Sequence, residues 1–216
     1  MDLYIDSGLI EEFRTCCATG LVDGATTNPS LIAKSGRPRE AVLAEVCEIV
    51  KGPVSGEVIP VDYEGMVREG RELRKISEHI VVKVPLTPDG LRACRTLTGE
   101  GHPVNVTLCF SAAQGLLAAK AGATYVSPFV GRLDDQGADG MELIADLRRI
   151  YDHYGFDTRV LAASIRHTLH VRDAALAGAD IATIPAKIFH QLFQHPLTDK
   201  GLADFLADHA RTAPKR

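Results

Sequence analysis

Lys83 sits in the middle of Ile-Val-Val-Lys-Val-Pro, residues 80–85. The run is apolar and rich in β-branched residues, so it reads as a buried strand of a parallel sheet, closed off by Pro85 and Pro88. A lysine is almost never fully buried unless it is paired or at work. In the plainer reading the stem snorkels and the ammonium meets a carboxylate at the rim of the sheet. In the sharper one the amine is kept out of water, so that enough of it is free base to attack a carbonyl carbon and form a Schiff base.

The polar residues around the other strand-like stretches decide between the two. The first stretch ends in Asp6, the second runs into Thr26-Thr27-Asn28-Pro29-Ser30, and the third carries Glu57. The fifth carries Asn105 and Thr107, the sixth Ser127 and Phe129 followed by Arg132, and the seventh Ser164 and Arg166. Residues i and i+2 of a strand share a face, so each of these last pairs can point inward together. Taken singly, each has an ordinary explanation. Asp6 suits a helix cap, Thr27 and Asn28 suit turn chemistry before Pro29, Glu57 suits a salt bridge to Lys83, and Arg132 with Asp134 suits a weak rim pair. Seven strands bringing polar side chains to one end is not what packing asks for.

The chemistry follows from the types. An amine that has condensed with a ketone is an electron sink, and the bond between the third and fourth carbons of the ketose breaks once the C4 hydroxyl loses its proton. Asp6 and Glu57 supply carboxylates for that proton and for the protons of imine formation. Asn28, Asn105 and Ser127 suit sugar hydroxyls. Arg132, Ser164 and Arg166 suit a phosphate dianion.

Strand-like stretches fall at 3–6, 24–28, 54–59, 80–85, 104–109, 125–129, 159–165 and 180–184, and helix-like ones at 8–19, 39–50, 63–77, 89–99, 112–121, 140–154, 170–177 and 186–193. Asp6 and Ser7 are suitable caps for the first helix, and Gly20, Gly99 or Gly101, Gly122, Gly155 and Gly178 are suitable stops. Eight strands alternating with eight helices predict the α/β class and a single parallel (β/α)8 TIM barrel over residues 1–211. An open doubly wound sheet would announce itself with Gly-x-Gly-x-x-Gly after the first strand, and that motif is absent from the sequence. An additional C-terminal helix is expected at 197–210. Its apolar stripe of Leu202, Phe205 and Leu206 would pack on the barrel bottom or dock on a neighbouring subunit, and residues 212–216 would form a flexible tail.

Composition narrows the partners. The chain has 216 residues, 45% hydrophobic and 24% charged, with a formal net charge of −4. That leaves no basic footprint for nucleic acid or an anionic membrane. No apolar run reaches the roughly 18 residues of a membrane span. The sequence enters its first strand with no signal-like region, so a cytoplasmic protein is expected. The five cysteines, Cys16, Cys17, Cys47, Cys94 and Cys109, are expected as free thiols. The sequon at Asn105 falls within a buried strand and is read as chance. His167 with His170 and His190 with His195 lack metal-site neighbours and are read as surface or rim residues. No metal or other cofactor is expected.

Several segments resemble the transaldolase family in its short form, which includes the fructose 6-phosphate aldolases. They are Gly24-Ala25-Thr26-Thr27-Asn28-Pro29-Ser30-Leu31, Val82-Lys83-Val84-Pro85, Asn105-Val106-Thr107-Leu108, Ser127-Pro128-Phe129-Val130-Gly131-Arg132 and Ala163-Ser164-Ile165-Arg166. The resemblance implies Lys83 as the Schiff-base residue, Asp6 as acid and base, and Glu57 as the carboxylate activating a water. It implies Thr27, Asn28, Asn105, Thr107, Ser127 and Phe129 around the three-carbon unit, and Arg132, Ser164 and Arg166 at the phosphate. It also implies a homo-oligomer, a pentamer or decamer, with the C-terminal helix on a neighbour. The aldolase branch is expected to carry Gln at position 57 and Tyr at position 129, so Glu57 and Phe129 point to transfer between sugar phosphates. Release of free dihydroxyacetone is the alternative, and a non-catalytic sugar-phosphate-binding barrel is a third reading.

Overall fold

A computed structural model describes residues 1–212. Eight parallel strands close into a barrel in sequence order, the last pairing with the first. They are β1 (Asp2–Asp6), β2 (Gly24–Thr26), β3 (Val54–Glu57), β4 (Ile80–Pro85), β5 (Val104–Cys109), β6 (Tyr125–Pro128), β7 (Arg159–Ala162) and β8 (Ile181–Pro185). The helices are α1 (Ile10–Cys17), α2 (Pro29–Ala33), α3 (Arg39–Val50), α4 (Tyr63–Arg74), α5 (Pro88–Gly99), α6 (Ala112–Lys120), α7 (Val130–Asp134), α8 (Gly140–Tyr154), α9 (Thr168–Leu176), α10 (Ala186–Gln191) and α11 (Pro196–Thr212). The (β/α)8 expectation holds.

The strand alternation divides two cores. Outward residues such as Ile5, Ala25, Val82, Val84, Val106 and Val160 pack with the helices in one large cluster. Inward residues Tyr4, Val81, Tyr125, Leu161 and Ile181 form a smaller cluster inside the barrel. The Tyr4 and Tyr125 rings meet edge to face there, with centroids 6.3 Å apart. Above this apolar floor the inward positions turn polar: Thr26, Ser55, Lys83, Asn105, Thr107, Ser127 and Thr183 are all buried. No helix among the described residues is long and apolar enough to cross a membrane.

Where sequence and structure differ, local geometry is the reason. The expected helix stops Gly20, Gly101, Gly122, Gly155 and Gly178 all have positive φ. Ser7 does not cap α1. Its hydroxyl accepts from Leu9 N–H at 3.0 Å and also bonds the Glu12 carboxylate, and the helix starts at Ile10 behind the uncapped Leu9. β2, β3 and β7 stop short of their expected ends, and α2 and α7 are short helices that begin right after strand ends. Cys16, Cys47, Cys94 and Cys109 are buried, Cys17 is partly so, and all five are free. α11 does not pack on the barrel bottom: Leu202 is 59% exposed, Phe205 74% and Leu206 62%. Residues 213–216 of the expected tail lie outside the described residues.

Candidate active site

Lys83 is on β4, in register with Glu57 of β3 on one side and Asn105 of β5 on the other. Partners in register share a face, so the barrel interior receives all three. The lysine is only 6% exposed. Its Nζ stands 3.0 Å from Glu57 Oε2 and donates to the Thr27 carbonyl oxygen at 3.2 Å. That carbonyl is aimed by the turn into α2, where Asn28 Oδ1 accepts from Leu31 N–H at 2.9 Å and Pro29 opens the helix. Behind Glu57, Arg39 donates to the Glu57 carbonyl oxygen at 3.2 Å and pairs with Glu69 at 2.6 Å, so the end of β3 is held from outside.

Asp6 closes β1. Its Oδ1 accepts from Thr26 Oγ1 at 2.7 Å, and Thr26 Oγ1 lies 2.7 Å from Thr183 Oγ1 on β8. Because the Thr26 proton is committed to the carboxylate, Thr183 is the donor in the second bond. Burial pushes the Asp6 carboxyl above its ordinary value, while the Lys83 charge and the Thr26 hydrogen bond pull the other way. A carboxyl balanced like this suits a group that must take a proton and then return it.

Inward side chains of β3, β5 and β6 form a hydroxyl and amide network. Asn105 Nδ2 donates to Ser55 Oγ at 3.1 Å, and Ser127 Oγ donates to Asn105 Oδ1 at 2.8 Å. Thr107 Oγ1 is buried with no hydrogen-bond partner among the described residues. Just after it Leu108 has φ 62°, at a register shift between β5 and β6. This irregularity turns Leu108 toward the cavity lined by Glu57 and Lys83.

The cationic end is built differently. Phe129 lies beyond β6, bridged to Ala163 with its N–H donating to the Cys109 carbonyl oxygen, and leads into the five-residue α7 that carries Arg132. Ser164 is not on β7, as the i and i+2 pattern with Arg166 suggests, but past its end, with φ 61°. Backbone bonds stitch the two segments together: Val130 N–H to Ala163 O at 3.0 Å, and Gly131 N–H to Ser164 O at 3.1 Å. Position 131 must be glycine for this, because a Cβ there would stand 2.3 Å from Ser164 O and 2.6 Å from Arg166 Nε. The Arg132 guanidinium lies 4.8 Å from the Phe129 ring centroid, and Arg166 pairs with Asp135 at 2.8 Å.

Two adjoining cavities meet at Lys83. One, about 600 Å³ including space open to solvent, is lined by Asp6, Thr26, Ser127, Thr183 and the Arg132, Ser164 and Arg166 group. The other, about 840 Å³ on the same measure, is lined by Asn28, Ser30, Glu57, Leu108 and Phe129. Both also take in Thr107, and together they have room for a phosphorylated sugar. All the expected site residues line one or the other except Thr27 and Asn105. Thr27 spends its hydroxyl on the Ser55 carbonyl at 2.9 Å and offers Lys83 its own carbonyl, while Asn105 is fully buried behind Ser127. Sequence reasoning missed Thr183, although the alternation Ile181, Thr183, Pro185 marks it as inward. His170, expected at the rim, is buried. Among the described residues no group of three or more His, Cys, Asp and Glu stands close enough to hold a metal ion.

Residues 3–215 match the model of a family described as transaldolase/fructose-6-phosphate aldolase. The chain is 60% identical over 215 residues to a probable transaldolase from Chelativorans sp., covering 100% of this chain and 99% of the relative. It is 61% identical over 212 residues to one from Phenylobacterium zucineum, with 98% of each covered. Among solved structures, thiamine phosphate pyrophosphorylase from Pyrococcus furiosus superposes with a TM-score of 0.58 over 87% of each chain at 13% identity, a likeness of fold alone.

The Asp6 environment makes a prediction about stability. A carboxyl whose pKa is raised by folding favours the folded state at low pH, and that contribution is lost as pH rises through the folded value. Asp6→Asn removes the ionisation. Its melting temperature relative to wild type should therefore be more favourable at pH 8 than at pH 4. Thermal melts across that range check it. A difference independent of pH would mean that Asp6 is not a desolvated carboxyl.

Proposed function

The chain belongs to the transaldolase/fructose-6-phosphate aldolase family, and we propose that it is a cytoplasmic transaldolase working through a Schiff base on Lys83. It would move a dihydroxyacetone unit from sedoheptulose 7-phosphate to glyceraldehyde 3-phosphate, giving erythrose 4-phosphate and fructose 6-phosphate. The observation that carries this reading is the buried amine on β4 with one carboxylate 3.0 Å away and a second lining the same cavity.

Lys83 Nζ attacks the C2 carbonyl carbon of the donor, and loss of water leaves a protonated imine. Glu57, on the Lys83 side of the second cavity, handles the protons of that step through a water. Asp6 takes the proton of the C4 hydroxyl. The C3–C4 bond breaks, its electron pair moves into the imine to give an enamine, and the first aldehyde leaves. C3 of the enamine then attacks the carbonyl carbon of the acceptor, Asp6 returns the proton to the new alkoxide, and water hydrolyses the imine. Asn28, Thr107 and Ser127, with Thr27 and Asn105 behind them, fix the hydroxyls of the three-carbon unit. The unpartnered Thr107 hydroxyl gains a bond when a substrate or water meets it. Arg132, Ser164 and Arg166 take the phosphate.

Transfer is favoured over release by Phe129. It lines both cavities, its ring lies 5.7 Å from that of Phe110, and it offers no hydroxyl to hold a water near the enamine. The exposed face of α11, with Leu202, Phe205 and Leu206, supports a homo-oligomer, a pentamer or decamer, in which this helix docks on a second copy.

Three outcomes are expected. With fructose 6-phosphate and borohydride, wild type should gain a stable adduct on Lys83, and Lys83→Ala should fold but neither trap nor transfer. Turnover by the folded variant would end the Schiff-base reading. Phe129→Tyr should release free dihydroxyacetone from fructose 6-phosphate about two- to tenfold faster without an acceptor, the worth of one hydrogen bond to the hydrolytic water. No increase in a variant that still transfers to erythrose 4-phosphate would remove Phe129 from that role. Leu202→Glu with Phe205→Glu should lower the mass seen in sedimentation while the circular dichroism of the barrel is retained. An unchanged mass would mean that α11 docks nowhere.

A further inference from the structure

Arg132 and Arg166 reach the cavity from segments that are not part of the barrel sheet. One is on the short α7 and the other follows a left-handed Ser164. A side chain outside the cavity ties these segments to one another. His170 of α9 is 8% exposed. Its Nε2 lies 2.9 Å from Asp134 Oδ2 at the end of α7, and its Nδ1 accepts from the Arg166 backbone N–H at 3.3 Å. The second bond fixes the tautomer: with Nδ1 accepting, the proton is on Nε2 and is donated to Asp134. The other oxygen of Asp134 accepts from Gly140 N–H at 3.0 Å, which anchors the same carboxylate to the start of α8. His167 caps α9 through the His170 N–H, so the His170 ring itself is left to bond outside its own helix.

We propose that His170 is a positioning residue of the phosphate end, clamping α7 to the segment after β7 so that Arg132 and Arg166 converge on one phosphate group. The inference rests on the reading of Arg132, Ser164 and Arg166 as the phosphate site. Both ring nitrogens are spent on the two segments that carry the arginines, and neither is spent on the barrel or on the cavity. A buried histidine with only a packing role would not need partners on both. Two backbone bonds already join the segments, so the clamp sets the relative orientation of the arginines and does not decide whether they meet. Its loss should cost substrate binding about two- to tenfold, the range of one ordinary hydrogen bond.

Inorganic phosphate, as a competitive inhibitor, reads the cationic end alone, and dihydroxyacetone reads the Lys83 end alone. His170→Phe keeps the ring volume and removes both bonds. It should raise the KM for fructose 6-phosphate and the inhibition constant of phosphate two- to tenfold, and leave kcat and the inhibition constant of dihydroxyacetone unchanged. Asp134→Ala opens the same clamp from α7 and should give the same split, which also serves if His170→Phe fails to fold. The double variant should lose less than the product of the two single losses, because both singles remove the shared His170–Asp134 bond. Arg166→Ala separates the two levels of the argument. If it weakens phosphate inhibition and the His170 and Asp134 variants do not, the clamp is wrong and the phosphate site stands. If Arg166→Ala leaves phosphate inhibition untouched, the phosphate reading falls and the clamp falls with it. Equal losses with phosphate and dihydroxyacetone in a folded His170→Phe would reduce His170 to a support of the fold and overturn the proposal.

Discussion

An amine held inside a protein 3.0 Å from a carboxylate constrains everything around it. Taking both charges out of water costs several kcal/mol per ion, and their attraction offsets that only where the geometry is good and the remaining lone pairs are satisfied. Around the Lys83–Glu57 pair the Thr27 carbonyl, just past β2, accepts from the lysine, and Arg39 of α3, paired with Glu69 of α4, holds the Glu57 backbone. Removing one partner of such a pair costs about 3–5 kcal/mol, because the other is left charged and alone. The polar shell of Ser55, Asn105, Ser127, Thr26 and Thr183 satisfies itself and Asp6 through its own hydrogen bonds.

The barrel tolerates this shell because its interior is split by height. The strands tilt, so the register row that holds Glu57, Lys83 and Asn105 runs on to Tyr125 and then Arg159. Tyr125 already belongs to the apolar floor with Tyr4, Val81, Leu161 and Ile181. The floor and the shell outside the sheet carry the stability, since both bury branched and aromatic side chains. The upper layer is released from packing duty and can be filled with hydroxyls, amides and charges.

How far the sequence disclosed this depends on how regular each segment is. Lys83, Asn105, Thr107, Glu57 and Asp6 were legible because they sit on strands, where a period of two fixes the face. The same rule marks Thr183, between Ile181 and Pro185, as inward. Ser164 and Phe129 line the cavity, but from a geometry the alternation does not give: the strands end before them, and a positive φ at Ser164 breaks the period that pairs it with Arg166. His170, which the sequence suggests is a surface or rim residue, is buried because its partners, Asp134 and the Arg166 backbone, come together only in the folded chain. The apolar stripe of α11 was visible, but which surface it faces depends on the geometry of a chain end that period and composition do not encode.

The two ends of the site are thus built to different tolerances. Groups proposed to make and break bonds are on strands locked into a closed sheet, and a displacement of about 1 Å at the reacting atoms can cost a hundredfold in rate. Groups assigned to the phosphate sit on irregular segments, where a charged guanidinium on a long stem still finds a dianion after a modest shift. Irregular backbone has its own requirement, since its N–H and C=O groups need partners that no strand supplies. The Val130 and Gly131 bonds to Ala163 and Ser164, the glycine at 131, and the Asp134–His170–Arg166 connection meet that requirement with side chains and backbone together. The sheet fixes the reacting end by topology, and the cationic end is fixed one contact at a time.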